Sequence, residues 1–149
     1  MGADKAMKEL VAGLPAPELE PSAVSAPPLA EATVAIVTTA GLNPAGAVTI
    51  WQPTDSSYTR LPRWARDVQL SHFSPNFDRA GIAQDLNVVY PVDRLEELVY
   101  QGVIGSLADA NLSFMGAMFD LSTIIEDSGP AAAQELIDAG VDVVLLTPV

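Results

Sequence analysis

A single histidine, His72, is the side chain whose ordinary pKa lies closest to neutrality, so it is the first candidate for proton chemistry. It follows the short apolar segment Val68–Ser71, in what reads as a loop after a strand. A histidine in that place suits a general acid or a hydrogen-bond donor to a substrate. The alternative is a structural or exposed histidine, because the sequence offers no visible partner for the imidazole.

The segment Ser113–Gly116 (SFMG) combines a hydroxyl, an aromatic ring, a thioether and a glycine. The glycine would permit close backbone approach, and Met115 would offer a soft, adaptable surface, as the floor of a pocket for a small substrate requires. A core strand that ends in a turn is the alternative interpretation.

Thr38, Thr39 and Gly41 could present backbone donors to an anion after the first apolar run. They lack the GxGxxG and GxxxxGK[ST] patterns, so no nucleotide site is predicted. The carboxylate pairs Glu96/Glu97 and Glu126/Asp127 fit solvated helix surfaces better than acid/base chemistry. The oxygen-rich segment Ser74–Asp85 lacks EF-hand spacing, and no metal site is inferred.

The elements that would position these residues alternate between strand and helix. Strands are predicted at Thr33–Thr39, Val68–Ser71, within Ala108–Met118 (centred on LSFMGAM) and at Val141–Val149, and helices from Pro91 to Gly102, at Ser122–Glu126 and at Gly129–Ala139. This alternation predicts an α/β fold with a mostly parallel sheet flanked by helices. The stretch Ala47–Thr59 has no clear periodicity and is predicted to be variable.

Ligands of such sheets bind beyond the carboxyl ends of the strands. The predicted site therefore lies at Thr38–Leu42, Ser71–Asn76, Ser113–Gly116 and from Thr147 onward. A buried strand normally continues into a loop and a covering helix, whereas the chain stops at Val149. The fold is accordingly expected to be incomplete at its C-terminal end, where either a partner completes the sheet or the chain is cut.

Two regions are predicted. Residues 1–31 form a leader, with a short helix at Asp4–Gly13 and a linker at Pro15–Pro28 that contains five prolines. Residues 32–149 form the α/β domain, and 49% apolar residues in the chain suffice for one sizeable core.

A net charge of −12 argues against nucleic acid and anionic membrane surfaces as partners. The chain has no cysteine, which excludes disulfides, thiolate metal sites and cysteine nucleophiles within these residues. No apolar run is long enough to cross a bilayer, and the amino terminus lacks the apolar stretch of a secretory signal. A cytoplasmic protein is expected.

Five segments taken in order resemble one known family. They are VAIVTTAGL at 34–42, LSHF at 70–73, NVVYPVDRLEELVYQGVIGSLA at 87–108, LSFMG at 112–116 and GVDVVLLTPV at 140–149. Together they are similar to the selenoprotein B family of glycine, sarcosine, betaine and D-proline reductases, from about Ala32 to Val149. The leader and the segment 45–66 are less similar to the family.

The resemblance implies an oxidoreductase subunit that cleaves a carbon–nitrogen bond reductively, with electrons from a dithiol or thioredoxin-type donor. It places a selenocysteine, or a cysteine in some relatives, directly after the strand that corresponds to VVLLTPV, so this residue is expected immediately after Val149. A pyruvoyl group on a partner subunit is implied to hold the amine or amino-acid substrate. His72, Ser113 and Met115 would line the pocket, and Thr39, Gly41 and Thr147 are further candidates.

These residues include no redox side chain, so no catalytic residue is assigned among them and the chain by itself is not predicted to be an enzyme. One alternative is a complete, non-catalytic α/β domain that binds a small molecule or a partner at the strand ends. An enzyme similar to the aspartate and glutamate racemases is disfavoured, because two catalytic cysteines are expected there and Thr39 and Ala40 occupy the first-strand turn.

The reductase hypothesis predicts an in-frame TGA codon directly after the Val149 codon, because selenocysteine is encoded by a recoded stop. Sequencing the genomic DNA beyond Val149 tests this prediction. A TGA followed by an open frame with a nearby cysteine codon is the expected result. A TAA or TAG codon without a reading frame beyond it would support the non-catalytic alternative.

Overall fold

The computed structural model describes residues 5–6, 9, 12–13, 24–47, 51–52, 54–75 and 77–149. The strands in this part of the chain are β1 (Thr33–Thr38), β2 (Leu42–Pro44), β3 (Tyr58–Pro62), β4 (Val68–Leu70), β5 (Ser106–Leu107), β6 (Ala110–Phe114) and β7 (Val143–Thr147). The α-helices are α1 (Ala80–Gln84), α2 (Val92–Tyr100) and α3 (Gly129–Asp138), with a 3₁₀ turn at Leu86–Val88 and a π-helical turn at Ile124–Ser128. Among the described helices, none combines the length and hydrophobicity that a bilayer crossing requires.

The strand β1 lies at the centre of the main sheet and is paired on both edges. On one side it runs parallel to β7 along most of its length, from Val34 opposite Val143 to Thr38 opposite Thr147. On the other side it pairs in parallel first with β5 and then with β6. The strand β3 pairs antiparallel with β6, and β2 and β4 form a small separate antiparallel sheet. The predicted α/β fold with a mostly parallel sheet is confirmed.

Helices cover the two faces of this sheet because side chains of β1 alternate between them. Val34 and Ile36 pack into a cluster that includes Val92 and Leu95 of α2. Ala35 belongs to a second cluster on the other face, together with Leu112 and Phe114 of β6 and Ala132 and Leu136 of α3. The continuous β-branched run of β1 therefore reflects burial on both faces, as the sequence predicted.

Several predicted elements differ from the structure in their ends. The strand β6 runs from Ala110 to Phe114, whereas the predicted strand was centred on residues 112–118. The observed strand therefore ends earlier than predicted. It cannot continue because the Gly116 amide turns to donate to the carbonyl of Thr39, at 2.8 Å, and Ala117 adopts a φ of 58°. The two predicted helical pieces at 122–126 and 129–139 are joined through the π-helical turn, where Gly129 passes against the Ile124 carbonyl too closely for a side chain.

The strand β3 lies partly within the stretch predicted to be variable. Leu61 is fully buried and Tyr58 contacts Phe114, with ring centroids 5.2 Å apart, so the strand does contribute to the core. The sequence pattern of a strand is obscured here by Arg60 and Pro62. Arg60 binds Glu135, and Pro62 is tolerated because β3 is an edge strand.

Glu135 of α3 fixes this edge strand to the helix layer. Its carboxylate accepts from the Arg60 guanidinium, at 2.6 Å, and from the Tyr58 hydroxyl, at 2.8 Å. The Arg60 hydrogen bond is the main reason that the pKa of Glu135 lies below its ordinary value. The pair is largely exposed, so it orients β3 more than it stabilises the fold.

Most residues of the predicted leader helix (Asp4–Gly13) and of the predicted linker (Pro15–Pro28) lie outside the described residues. The described residues of the first segment include Lys5, Ala6, Glu9 and Ala12, all of which are helical. At the other end of the chain, β7 lies at an edge of the described sheet and leaves Leu146 66% exposed.

A buried amide closes the gap between β5 and β6, where β1 would otherwise lack a hydrogen-bond partner. The Oδ1 atom of Asn111 accepts from the Ile36 amide at 2.7 Å, and its Nδ2 atom donates to the Tyr90 hydroxyl at 2.9 Å. Asn111 and Tyr90 are both buried. Removing this side chain would leave two buried polar groups without partners, each at a cost of about 1–3 kcal/mol.

We expect Asn111→Ala to lower the free energy of unfolding by about 2–4 kcal/mol, since it orphans the Ile36 amide and the Tyr90 hydroxyl. Urea denaturation measures this change. The matched control is Gln134→Ala, which removes an exposed amide that donates to Asp138 and should change stability by less than about 0.5 kcal/mol. Equal effects of the two substitutions would contradict a stabilising role for Asn111.

Candidate functional site

The carboxyl ends of β1, β6 and β7 converge on Thr39, the residue that follows β1. Its amide donates to the Thr147 carbonyl at 3.3 Å, and its hydroxyl oxygen accepts from the Val149 amide at 2.9 Å. On the other side its carbonyl accepts from the Gly116 amide at 2.8 Å. Thr39 thus joins the ends of both neighbouring strands, and the site forms where open parallel sheets bind their ligands.

Gly41 turns the chain sharply after β1 and brings it across the end of β6. It has a φ of +63°, in the left-handed region that favours glycine, and its amide donates to the Phe114 carbonyl at 2.9 Å. A Cβ atom at Gly41 would lie 2.7 Å from the Met115 Cε atom. Met115 is buried directly against this turn, so the two residues are mutually constrained.

Two hydroxyl side chains predicted for the site are engaged with the backbone. The Ser113 hydroxyl, which is fully buried, accepts from the Leu42 amide at 2.8 Å. The Thr147 hydroxyl donates to the Val89 carbonyl at 2.9 Å. Ser113 thus holds the turn after β1, whereas Thr147 links the end of β7 to the loop before α2.

His72 is held in a fixed orientation by three groups of its own loop. Its ring stacks on Phe77 with centroids 4.0 Å apart and planes inclined by 12°. Its Nδ1 atom accepts from the Ser74 amide at 3.2 Å, and the Arg79 guanidinium donates to its backbone carbonyl. Because Nδ1 is the acceptor, the neutral imidazole carries its proton on Nε2. The ring therefore has one defined tautomer and one defined plane.

The imidazole is kept neutral at physiological pH. His72 is only 4% exposed, and this burial is the main cause that lowers its pKa below the ordinary value. The positive charge of Arg79 lowers the pKa further. A ring held in this state presents an Nε2–H donor and is poorly suited to accept a second proton.

The Nε2 atom of His72 faces the place where the strand ends meet. A Cβ atom built on Gly116 would lie 3.1 Å from His72 Nε2, 2.9 Å from the Thr39 carbonyl oxygen and 3.0 Å from the Val149 carbonyl oxygen. Glycine at position 116 therefore lets these three groups approach the backbone more closely than a side chain would permit. Nε2 itself has no hydrogen-bond partner among the described residues.

An apolar groove opens next to this place, between the sheet and α3. Its volume is about 750 Å³, and Thr39, Met115, Gly116 and Val149 contribute to its wall. The remaining lining is almost entirely aliphatic, with Met118, Leu121, Ile124, Ala132, Leu136, Val144 and Leu146 among its residues. The site thus combines a polar corner at the strand ends with an apolar approach.

Five of the six predicted pocket residues, Thr39, Gly41, His72, Ser113 and Met115, surround the junction of β1 and β6, and Thr147 joins it from β7. Asn76, the last residue of the predicted strand-end segment 71–76, lies outside the described residues. Within the part of the chain that the structure describes, no three histidine or acidic side chains are grouped as a metal site requires.

Sequence reasoning missed the residues that orient His72. Phe77 and Arg79 lie within the segment Ser74–Asp85, which was considered only for oxygen ligands. Their spacing after His72 carries no periodic signal, because they act from an irregular loop. The groove was not predicted either. Ala132 and Leu136 are four residues apart, which is the spacing of apolar residues on the side of a helix that packs against a sheet.

The chain matches the family model described as glycine/sarcosine/betaine reductase selenoprotein B over residues 7–149. It is 35% identical over 121 residues to the D-proline reductase subunit gamma of Acetoanaerobium sticklandii, an alignment that covers 80% of this chain and 49% of that protein. No solved structure gives a significant match.

A second relative is the sarcosine reductase complex component B subunit beta of Peptoclostridium acidaminophilum. It is 35% identical over 71 residues, which cover 48% of this chain and 16% of that protein. The chain thus spans about half the length of the first relative and less of the second. The family model covers nearly all of the chain, and the resemblance found in the sequence is confirmed: this chain belongs to the glycine/sarcosine/betaine reductase selenoprotein B family.

Proposed function

We propose that this chain forms the part of a reductase subunit that positions the redox residue and lines the substrate pocket. The enzyme would cleave a carbon–nitrogen bond of glycine, sarcosine, betaine or D-proline. The observation that carries the proposal is the convergence of three strand ends at Thr39. The Nε2 atom of His72, which has no partner in the described part of the chain, lies near this point, as does the Val149 carbonyl. The names of the relatives supply the class of substrate.

The redox residue of the proposed enzyme is a selenocysteine that directly follows Val149. The Val149 carbonyl oxygen lies close to Gly116, and the Val149 amide binds Thr39, so a residue bonded to the Val149 carbonyl carbon would begin at this corner. A chalcogen nucleophile needs a polar environment that favours its anion and an approach for its substrate. The strand-end corner offers a hydrogen-bond donor, and the groove offers the approach.

The proposed reaction replaces a carbon–nitrogen bond by a carbon–hydrogen bond and a nitrogen–hydrogen bond. It consumes two electrons and two protons, and a dithiol donor supplies the electrons as it becomes a disulfide. A pyruvoyl group on a partner subunit would hold the amine of the substrates that carry an N–H group, which are glycine, sarcosine and D-proline. Thr39, Gly41, His72, Ser113, Met115 and Thr147 of this chain are proposed to shape the pocket in which the substrate meets the redox residue.

In the proposed organisation residues 32–149 make up one α/β domain, preceded by a leader at residues 1–31, and the enzyme acts in the cytoplasm. The pairing of β1 with β7 supports the domain, since it joins segments more than 100 residues apart along the chain. Among the described residues of the leader, Val24 lines the apolar groove beside the strand-end corner.

A second candidate is a non-catalytic α/β domain that binds a small molecule or a partner protein. The apolar groove favours it, because an aliphatic lining of this kind binds apolar groups better than it binds the charged ends of an amino acid. This candidate predicts binding without turnover, which separates it from the reductase in the assay below.

We expect the 149-residue chain alone to have no reductase activity with a dithiol donor, because no redox side chain is present. The complete subunit with its selenocysteine and its pyruvoyl-bearing partner should convert at least one of the four named substrates. Product formation measured by chromatography tests both statements. Turnover by the isolated chain, or no turnover of any of the four substrates by the assembled complex, would contradict the proposed function.

Gly116→Ala should lower kcat/KM of the complete enzyme by about 100-fold, since its Cβ would displace the Val149 carbonyl or the His72 ring. The matched control is Gly81→Ala in α1, where a Cβ meets no atom within 4 Å and the residue is helical. The control should retain the activity of the wild type. If Gly116→Ala also retains it, with an unchanged fold, the strand-end corner is not the reaction site.

A further inference from the structure

The buried Nε2–H group of His72 is a donor that the described fold does not use. The side chain is more than nine-tenths buried, and no acceptor binds Nε2 among the described residues. Leaving a buried donor unpaired costs about 1–3 kcal/mol, so such groups are uncommon unless a ligand completes them. The ring is also well packed, which means that it is held in this orientation without that ligand.

We infer that His72 is a neutral hydrogen-bond donor to the anionic chalcogen of the residue that follows Val149. This inference rests on the proposed function, because it takes the redox residue to be a selenocysteine or a cysteine at that position. His72 Nε2 and the Val149 carbonyl oxygen both lie about 3 Å from the same point above Gly116, at 3.1 Å and 3.0 Å. A side chain that begins after Val149 is therefore within reach of the imidazole.

The surroundings of His72 favour donation over proton transfer. The Ser74 amide occupies Nδ1, so the ring cannot act as a base through that nitrogen without losing this hydrogen bond. The Arg79 guanidinium, which binds the His72 carbonyl, is the charged group in contact with the residue, and it opposes a second positive charge on the ring. The stacked Phe77 ring keeps water from one side of the imidazole.

A neutral donor in this position would stabilise the anion of the redox residue relative to its protonated form. A hydrogen bond to the charged form lowers the pKa of an acid, and a chalcogen needs its anion to be the nucleophile. The same bond would fix the direction of the anion, because the imidazole plane is fixed by Phe77. His72 would then act on the reacting atom itself and would be a catalytic residue of the complete enzyme.

The first measurement concerns the tautomer, and the single histidine makes it unambiguous. Nitrogen-15 NMR of the histidine-labelled chain should show the Nε2–H tautomer at pH 7 to 8. The pKa of the ring should lie below the ordinary value of about 6.5, since burial lowers it. An Nδ1–H tautomer, or a charged ring at pH 7, would overturn the inference.

The second measurement uses the chain extended by one cysteine after Val149, which is then its only thiol. The rate of alkylation as a function of pH gives the thiol pKa. We expect His72→Phe to raise this pKa by at least about one unit, a tenfold loss of thiolate at neutral pH. The substituted ring can still stack on Phe77, and circular dichroism confirms the fold. His72→Gln, which restores an N–H donor, should recover part of the difference.

Equal thiol pKa values in the wild type and in His72→Phe would overturn the inference. That outcome is distinguishable from failure of the proposed function, because the thiol measurement needs neither substrate nor partner subunit. An active complex with an unchanged thiol pKa would refute the role of His72 alone. If His72→Phe raises the thiol pKa but the assembled complex is inactive, the result supports the hydrogen bond and refutes the proposed substrates.

Discussion

The hydrogen bonds of β1 to strands on both of its edges are the constraint on which this structure depends. They set β6 and β7 side by side with β1 and therefore bring three strand ends to one corner. Thr39 extends this arrangement beyond the strands, since its backbone and its hydroxyl bind Gly116 and Val149. The position of Val149 is thus a consequence of sheet register, not of contacts made by its own side chain.

The corner is polar although most of its surroundings are aliphatic. Two side chains of β6 satisfy backbone groups of neighbouring strands: Asn111 binds the Ile36 amide of β1, and Ser113 binds the Leu42 amide of β2. Once these groups are paired, the Nε2–H of His72 remains a donor without an acceptor among the residues that the structure describes. When the other polar groups at the strand ends are already paired, a charge that develops at the corner would be stabilised at one position. Selective chemistry on a small substrate requires such a position.

Much of this arrangement could be predicted from the sequence, because it depends on strong local patterns. The β-branched run of β1, the Pro91 start and the Gly102 end of α2, and the apolar run of β7 each identified an element. The rule that ligands bind at strand ends then selected segments that the structure brings together at the corner. The family resemblance came from the same segments, so the fold and the family were both inferred from them.

The remaining features depend on contacts between distant residues, which no local pattern encodes. The strand β3 was not predicted, because Arg60 and Pro62 interrupt the apolar pattern of this edge strand. Contacts with Phe114 and Glu135 hold the strand in place. The early end of β6 follows from the hydrogen bond between Gly116 and Thr39, which are far apart in the sequence. These are tertiary effects, and only the folded chain reveals them.

The most direct test of the central claim is a structure of the complete subunit, in which the separation between the chalcogen of the redox residue and the Nε2 atom of His72 is measured. The account predicts that the two atoms lie within hydrogen-bonding distance, next to Gly116 and Thr39. A redox residue that points away from this corner, with His72 bound to another group, would contradict it.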